Sequence, residues 1–238
     1  MEIKDLDRLI NEQEGYSSLA FPVLMRKVYV WMTLALIITG ITAYGVATSE
    51  SLKLMILNSK FIFFGLIIAE LALVWGVSAA INKISITTAT FLFTFYSILN
   101  GITLSLIFAV YSEASIVSVF FITAATFGVM AAYGYFTKSD LSSWGKLLYM
   151  ALFGLIIATL VNVFLIRSTG FNLIISYIGV LLFVGLTAYD TQKIKRILAI
   201  QPDMGEGSQK VALLGALTLY LDFINLFLYL LRILGNRK

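Results

Sequence analysis

Seven stretches of the chain run apolar for twenty residues or more, at about 28–48, 61–81, 86–110, 115–137, 147–166, 171–190 and 211–231. The polar positions gather between them. A run of about twenty apolar residues is what an α-helix needs to cross hydrocarbon, so the pattern predicts an all-α membrane protein with seven transmembrane helices. The connections at Asn82–Ser85, Tyr111–Ala114 and Arg167–Gly170 are short, which predicts antiparallel neighbours. Thr191–Lys210 holds Pro202, two glycines and several charges, and reads as the one real loop. Residues 1–26 mix both signs of charge and have no apolar core of the signal-peptide kind, so nothing there reads as cleaved. They are expected to form a short cytoplasmic tail with an amphipathic helix, ahead of a single transmembrane domain over 27–238. Ala124, Gly128 and Ala132 make a small-residue stripe on the fourth span, expected to pack against a neighbouring helix.

Composition agrees with the pattern. Apolar residues are 60% and charged residues 13%, with a mean hydropathy of +0.94. A soluble domain has about 25% charged residues. Cysteine and histidine are both absent. That excludes disulfides, an imidazole pH switch, Ser-His chemistry and HExxH zinc sites. Any pH response near neutrality therefore falls to carboxylates. The net charge of +4 comes from loop lysines and arginines, which suit a lipid bilayer and not nucleic acid.

Orientation follows the same charges. With the N-terminus in the cytoplasm, that side collects Lys4, Arg8, Arg26, Lys27, Lys83, Lys138, Lys146, Lys193, Lys195, Arg196 and Lys210, eleven in all. The other side holds six: Lys53, Lys60, Arg167, Arg232, Arg237 and Lys238. A re-entrant last segment would make the split fourteen to three. The segment is long enough to span, and a seventh crossing is the expectation.

Three acidic residues fall within or at the edge of the spans: Glu70, Asp190 and Asp222. A charge at the bilayer centre costs roughly 2.5–3.5 kcal/mol on insertion scales, so each needs a reason. On the last helix Gly215, Thr218, Asp222, Asn225 and Tyr229 share one stripe, which should face other helices or water and not lipid. Asp190 sits where the sixth span meets its basic end. It can meet Asp222 if that helix tilts or continues. Glu70 has no partner on its own helix and needs one across the bundle: Asn100, Asn162, a tyrosine or another carboxylate. Each acid can equally be a protonated hydrogen-bond donor between helices, and the asparagines simple interhelical glue. Two carboxylates close together in a low-dielectric site cannot both ionise cheaply and tend to share one proton. Such a pair can exchange that proton for a hard cation.

The blocks LNGITLSLIF (99–108), FFITAATFGVMAAYGYFTKSDLSSWG (120–145), GLTAYDTQKIK (185–195) and GALTLYLDFINLFLYLLRILG (215–235) resemble the Bax inhibitor-1 family, the transmembrane Bax inhibitor motif proteins. The resemblance runs from about Met25 to Asn236 and is to bacterial members. It implies a seven-helix bundle with the seventh helix at the centre of the other six. It implies a pH-dependent Ca²⁺ leak with Asp190 and Asp222 as proton sensor and gate, and Glu70 in the pore region. Asn100, Thr218 and Asn225 are further candidates for the ion path. Asp190, Asp222 and Glu70 are candidates for transient Ca²⁺ contact. Family gating also pairs the aspartates with a basic residue near the end of the second helix. Here that region reads GVSAAINKIS, with only Lys83 beyond the span.

The function expected is thus a pH-sensitive Ca²⁺-permeable channel or leak in the bacterial cytoplasmic membrane, monomeric, with no cofactor and no catalysis. A cation/proton exchanger would use the same residues. A regulator of a membrane protease, as some bacterial relatives are, would not need the titrating pair. An intramembrane aspartyl protease fits poorly, because the second aspartate lies in YLDFIN and not in a GxGD pattern.

Overall fold

A computed structural model describes the backbone of residues 3–238 and the side chains of residues 20–238 other than Leu57. Its helices are α1 (Ile3–Thr48), α2 (Glu50–Asn58), α3 (Lys60–Ala80), α4 (Ile86–Leu104), α5 (Ile107–Val110), α6 (Glu113–Phe136), α7 (Ser142–Val161), α8 (Thr169–Ala199) and α9 (Glu206–Leu234). Seven stretches are long and apolar enough to cross a membrane: Ala20–Thr48, Lys60–Ala80, Ile86–Val110, Glu113–Phe136, Ser142–Ile166, Thr169–Ala199 and Glu206–Leu234. Each coincides with a run expected from the sequence. The expected tail is helical from Ile3 and continuous with the first span. The side chains that would make it amphipathic lie outside the described residues.

Serines start several spans, because the first N–H groups of a helix have no partner within it. The Ser59 hydroxyl accepts from Ile62 N, that of Ser85 from Thr88 N, and that of Ser112 from Ser115 N. The fifth span ends in a widened turn, Asn162–Ile166, in which Arg167 N donates to Asn162 O at 2.7 Å. Arg167 adopts a left-handed conformation at φ 53. The Asn162 amide holds both the N–H and the C=O of Ser168. Asn162 is therefore occupied in ending its own helix and is not the partner that Glu70 requires.

Two expectations are corrected. The loop expected over Thr191–Lys210 shrinks to the residues between Ala199 and Glu206. The lysines after Asp190 mark a change of surroundings and not a helix end, since Ile194 and Leu198 stay buried four residues apart while Lys193 and Arg196 are exposed. The small-residue stripe of the fourth span is also not a packed face. Gly128 and Ala132 are exposed, and a side chain added at Gly128 would meet nothing within 4 Å. The buried face of α6 is Thr123, Phe127, Ala131 and Gly134. Four-residue spacing of small residues permits close packing without requiring it. The re-entrant alternative also falls away, because α9 is unbroken over 29 residues, with two-thirds of its most apolar window buried.

The chain divides into two compact units. One takes the residues up to Ile107 with Ile194–Leu217, the other Phe108–Lys193 with Thr218–Lys238. In the first, α4 packs on α1 and α3. Thr39 donates its hydroxyl to Ser97 O at 2.9 Å, and a Cβ at Gly101 would stand only 2.7 Å from Thr39 O. In the second, Gly134 of α6 lies against the Ala188 backbone of α8, and Gly145 of α7 lies against the Tyr189 ring. Phe120 and Phe127 of α6 pack edge-to-face on Phe223 of α9, with centroids 5.4 and 5.5 Å away.

These contacts separate two glycines on one helix. Gly134→Ala drives a methyl group into the α8 backbone and should destabilise the protein by about 1–3 kcal/mol. Gly128→Ala points into open space and should leave the thermal midpoint in detergent unchanged or slightly raised. Equal midpoints for the two variants would show that α6 and α8 do not meet at Gly134.

Candidate functional site: a carboxyl pair between two helices

Asp190 lies within α8, nine residues before its end, on the face that carries the buried Phe183, Leu186 and Ile194. Asp222 lies on the face of α9 that carries Leu219 and Leu226. Both aspartates are buried, at 3% and 5% exposure, and their carboxyls are close enough to act on each other. The condition for their meeting, that the sixth helix continue past Asp190, is fulfilled by the two further turns of α8.

Their proximity has a chemical consequence. An ionised carboxylate only accepts, so two carboxyls can share a hydrogen bond only if one carries a proton. The surroundings of the two differ. The Tyr149 hydroxyl of α7 donates to Asp190 Oδ1 at 3.2 Å, and the charge of Lys193, one turn along α8, acts on the same carboxyl. Lys193 Nζ rests near two aromatic faces, 5.7 Å from the centroid of Tyr149 and 5.9 Å from that of Tyr189. Asp222 has no such support. Its Oδ2 is buried with no hydrogen-bond partner among the described residues. Donor and cation stand beside Asp190, so the two carboxyls sit in unequal surroundings.

Gln192 braces the pair from the neighbouring connection. Its Oε1 accepts from Leu141 N at 2.9 Å and its Nε2 donates to Ser139 O at 2.8 Å. One buried side chain thus ties the link between α6 and α7 to α8, two residues from Asp190. The Thr191 hydroxyl beside it is buried with no partner among the described residues.

Glu70 belongs to the first unit and is half-buried. Asn100 reaches it as expected, with Nδ2 donating to Oε2 at 3.4 Å. The shorter bond comes from Thr103, one turn further along α4, whose hydroxyl donates to Oε1 at 2.5 Å. Of the other candidates, Asn225 donates to Leu221 O within its own helix, and Thr218 is half-buried one turn before Asp222. Lys83 is exposed in the turn that follows α3. No group of three His, Cys, Asp or Glu side chains among the described residues converges to hold a metal ion.

Tyr149, Gln192 and Thr103 were not singled out from the sequence. Thr103 carried a usable signal, since it stands three residues after Asn100 on one helix face. Tyr149 carried none, because an aromatic in an apolar run looks like any lipid-facing ring. Because the Thr103 hydroxyl bonds a half-buried carboxyl, Thr103→Val should cost about 1–3 kcal/mol. Thr103→Ser should recover most of the loss. A thermal midpoint in detergent that Thr103→Val leaves unchanged would contradict the contact.

Comparison with known proteins agrees with this architecture. The family model described as "Inhibitor of apoptosis-promoting Bax1" matches residues 22–238. Inner membrane protein YbhL of Escherichia coli K12 is 51% identical over 216 residues, covering 90% of this chain and 92% of its own length. An uncharacterised protein of Borreliella burgdorferi is 47% identical over 214 residues, covering 90% of this chain and 92% of its own. An uncharacterised protein of Rickettsia prowazekii is 43% identical over 216 residues, covering 90% and 89%. With seven apolar helices and a family match that extends to its last residue, this chain belongs to the Bax inhibitor-1 family of membrane proteins.

Proposed function

We propose that the protein is a pH-sensitive pathway for Ca²⁺ across a bacterial inner membrane, gated by the proton shared between Asp190 and Asp222. The observation that carries this reading is the close approach of two buried carboxyls on α8 and α9. Such a contact changes character with each proton. With one proton the pair is a bridge between α8 and α9. With none it is two adjacent anions that repel each other and attract a cation. Tyr149 and Lys193 stand beside Asp190, and Gln192 holds the local backbone while the pair titrates.

Calcium rests on the family resemblance, and the oxygen ligands are compatible with it without selecting it. Ca²⁺ takes six to eight oxygens in a tight site. A carboxyl pair offers far fewer, which suits brief occupancy during passage and not storage. Glu70, with Asn100 and Thr103, is a separate oxygen-bearing cluster in the first unit and a further candidate for cation contact, and Thr218 and Asn225 supply further polar positions on α9. The name of the Escherichia coli relative and the positive charges between the spans support placement in the inner membrane with the N-terminus in the cytoplasm.

Ca²⁺ entry into proteoliposomes, followed from pH 5 to 8, tests the reading. Flux through the wild-type protein should vary with pH, by up to about tenfold per unit where one proton controls the step. Asp222→Asn keeps a donor towards Asp190, so the fold should survive while the pH dependence flattens. Asp190→Asn should flatten it as well. A pH-dependent flux indifferent to both substitutions would refute the gate. No flux from correctly inserted protein would favour a regulator that acts by binding a membrane partner.

A further inference from the structure

At the end of the second unit where α8 begins and α9 finishes, six residues line an open cleft: Thr169, Asn172, Leu173, Ser176, Arg232 and Arg237. No carboxylate is among them, and neither arginine forms an ion pair among the described residues. The two guanidinium groups are held there from different elements. Arg232 lies in the last turn of α9, over the Tyr229 ring at 5.4 Å. Arg237 belongs to the C-terminal segment, whose backbone is fastened on both sides. Asn236 N donates to Ser115 Oγ at 2.9 Å, Ser112 N donates to Asn236 O at 3.1 Å, and Lys238 N donates to Val110 O at 3.0 Å.

Two like charges directed into one cleft repel each other, and a bound anion would offset that cost. Guanidinium matches phosphate best, because its planar fork can donate two parallel hydrogen bonds. The Thr169 hydroxyl and the Asn172 amide add neutral donors. The Ser176 hydroxyl already donates to Asn172 O at 2.8 Å and can only accept. The other wall is apolar. Leu173 lines the cleft and is 44% exposed, with Ile174 at 54% and Tyr177 at 53% beside it on α8. A cationic mouth at the end of two membrane spans, opening onto an exposed apolar face, has the composition that a phospholipid presents in reverse.

We propose that this cleft binds the phosphate of an anionic phospholipid, with Arg232 and Arg237 on the phosphate oxygens and the acyl chains along Leu173, Ile174 and Tyr177. Free phosphate has the same headgroup chemistry, and only the apolar wall distinguishes the two. The proposal does not depend on ion conduction.

The test uses the full chain in neutral detergent micelles doped with phosphatidylglycerol, with phosphatidylcholine, or with inorganic phosphate alone. Thermal midpoint and lipid retention in native mass spectrometry are the readouts. Phosphatidylglycerol should bind roughly tenfold more tightly than phosphatidylcholine, about 1.4 kcal/mol. Arg237→Gln and Arg232→Gln should each remove most of that preference, while Lys60→Gln, which removes one charge elsewhere, should not. Arg237→Gln alters an exposed side chain, so the result does not hang on Arg232→Gln, which also loses its contact with Tyr229. Equal binding of the two lipids, or a preference that survives Arg237→Gln, would overturn the proposal. Arginine-dependent stabilisation by inorganic phosphate without a lipid preference would overturn the lipid assignment and leave a free-anion site.

Discussion

Everything particular to this protein depends on two carboxyl groups that cannot both be charged where they are. An unpaired carboxylate in hydrocarbon costs several kcal/mol, and two side by side cost more. One shared proton would turn that liability into a bond between α8 and α9. The neighbours of the two acids differ. The Tyr149 hydroxyl bonds Asp190 and Lys193 stands one turn along α8 from it, while Asp222 keeps one oxygen with no partner among the described residues. The asymmetry distinguishes the two carboxyls of the pair.

The fold serves this contact in several ways. α8 must run on beyond the apolar stretch, so that Asp190 stands inside a helix and not at its fraying end. Gly134 and Gly145 let α6 and α7 approach α8 at Ala188 and Tyr189, directly before Asp190. Gln192 then fastens the link between α6 and α7 from the other side. A buried residue that bonds two backbone groups across fifty positions of sequence is a strut, and this one is two residues from the acid. Close packing on both sides holds the carboxyls in register.

The sequence made some of this visible and hid the rest, for identifiable reasons. Seven helices were legible because hydrocarbon demands long uncharged runs, and nothing else in such a chain produces them. The acids were legible because an acid in such a run is costly. Partners across helices were harder. Asn100 was anticipated for Glu70, but Thr103, which makes the shorter bond, looks like an ordinary span residue. The end of α8 was misplaced because lysines mark departure from the bilayer, and a helix can leave the bilayer without ending. The stripe of Ala124, Gly128 and Ala132 misled because size alone does not say which face of α6 meets protein. Burial of Thr123, Phe127 and Ala131 one position away answers that, and only the folded chain shows it.

The shared proton can be observed directly. Infrared spectra of the protein in lipid at neutral pH, recorded in a Glu70→Gln background with and without Asp222→Asn, isolate the carboxylic-acid stretch of the pair. A protonated-carboxyl band that Asp222→Asn abolishes is the expected result. Absence of the band at neutral pH, or a band that Asp222→Asn leaves untouched, would contradict a proton shared by Asp190 and Asp222.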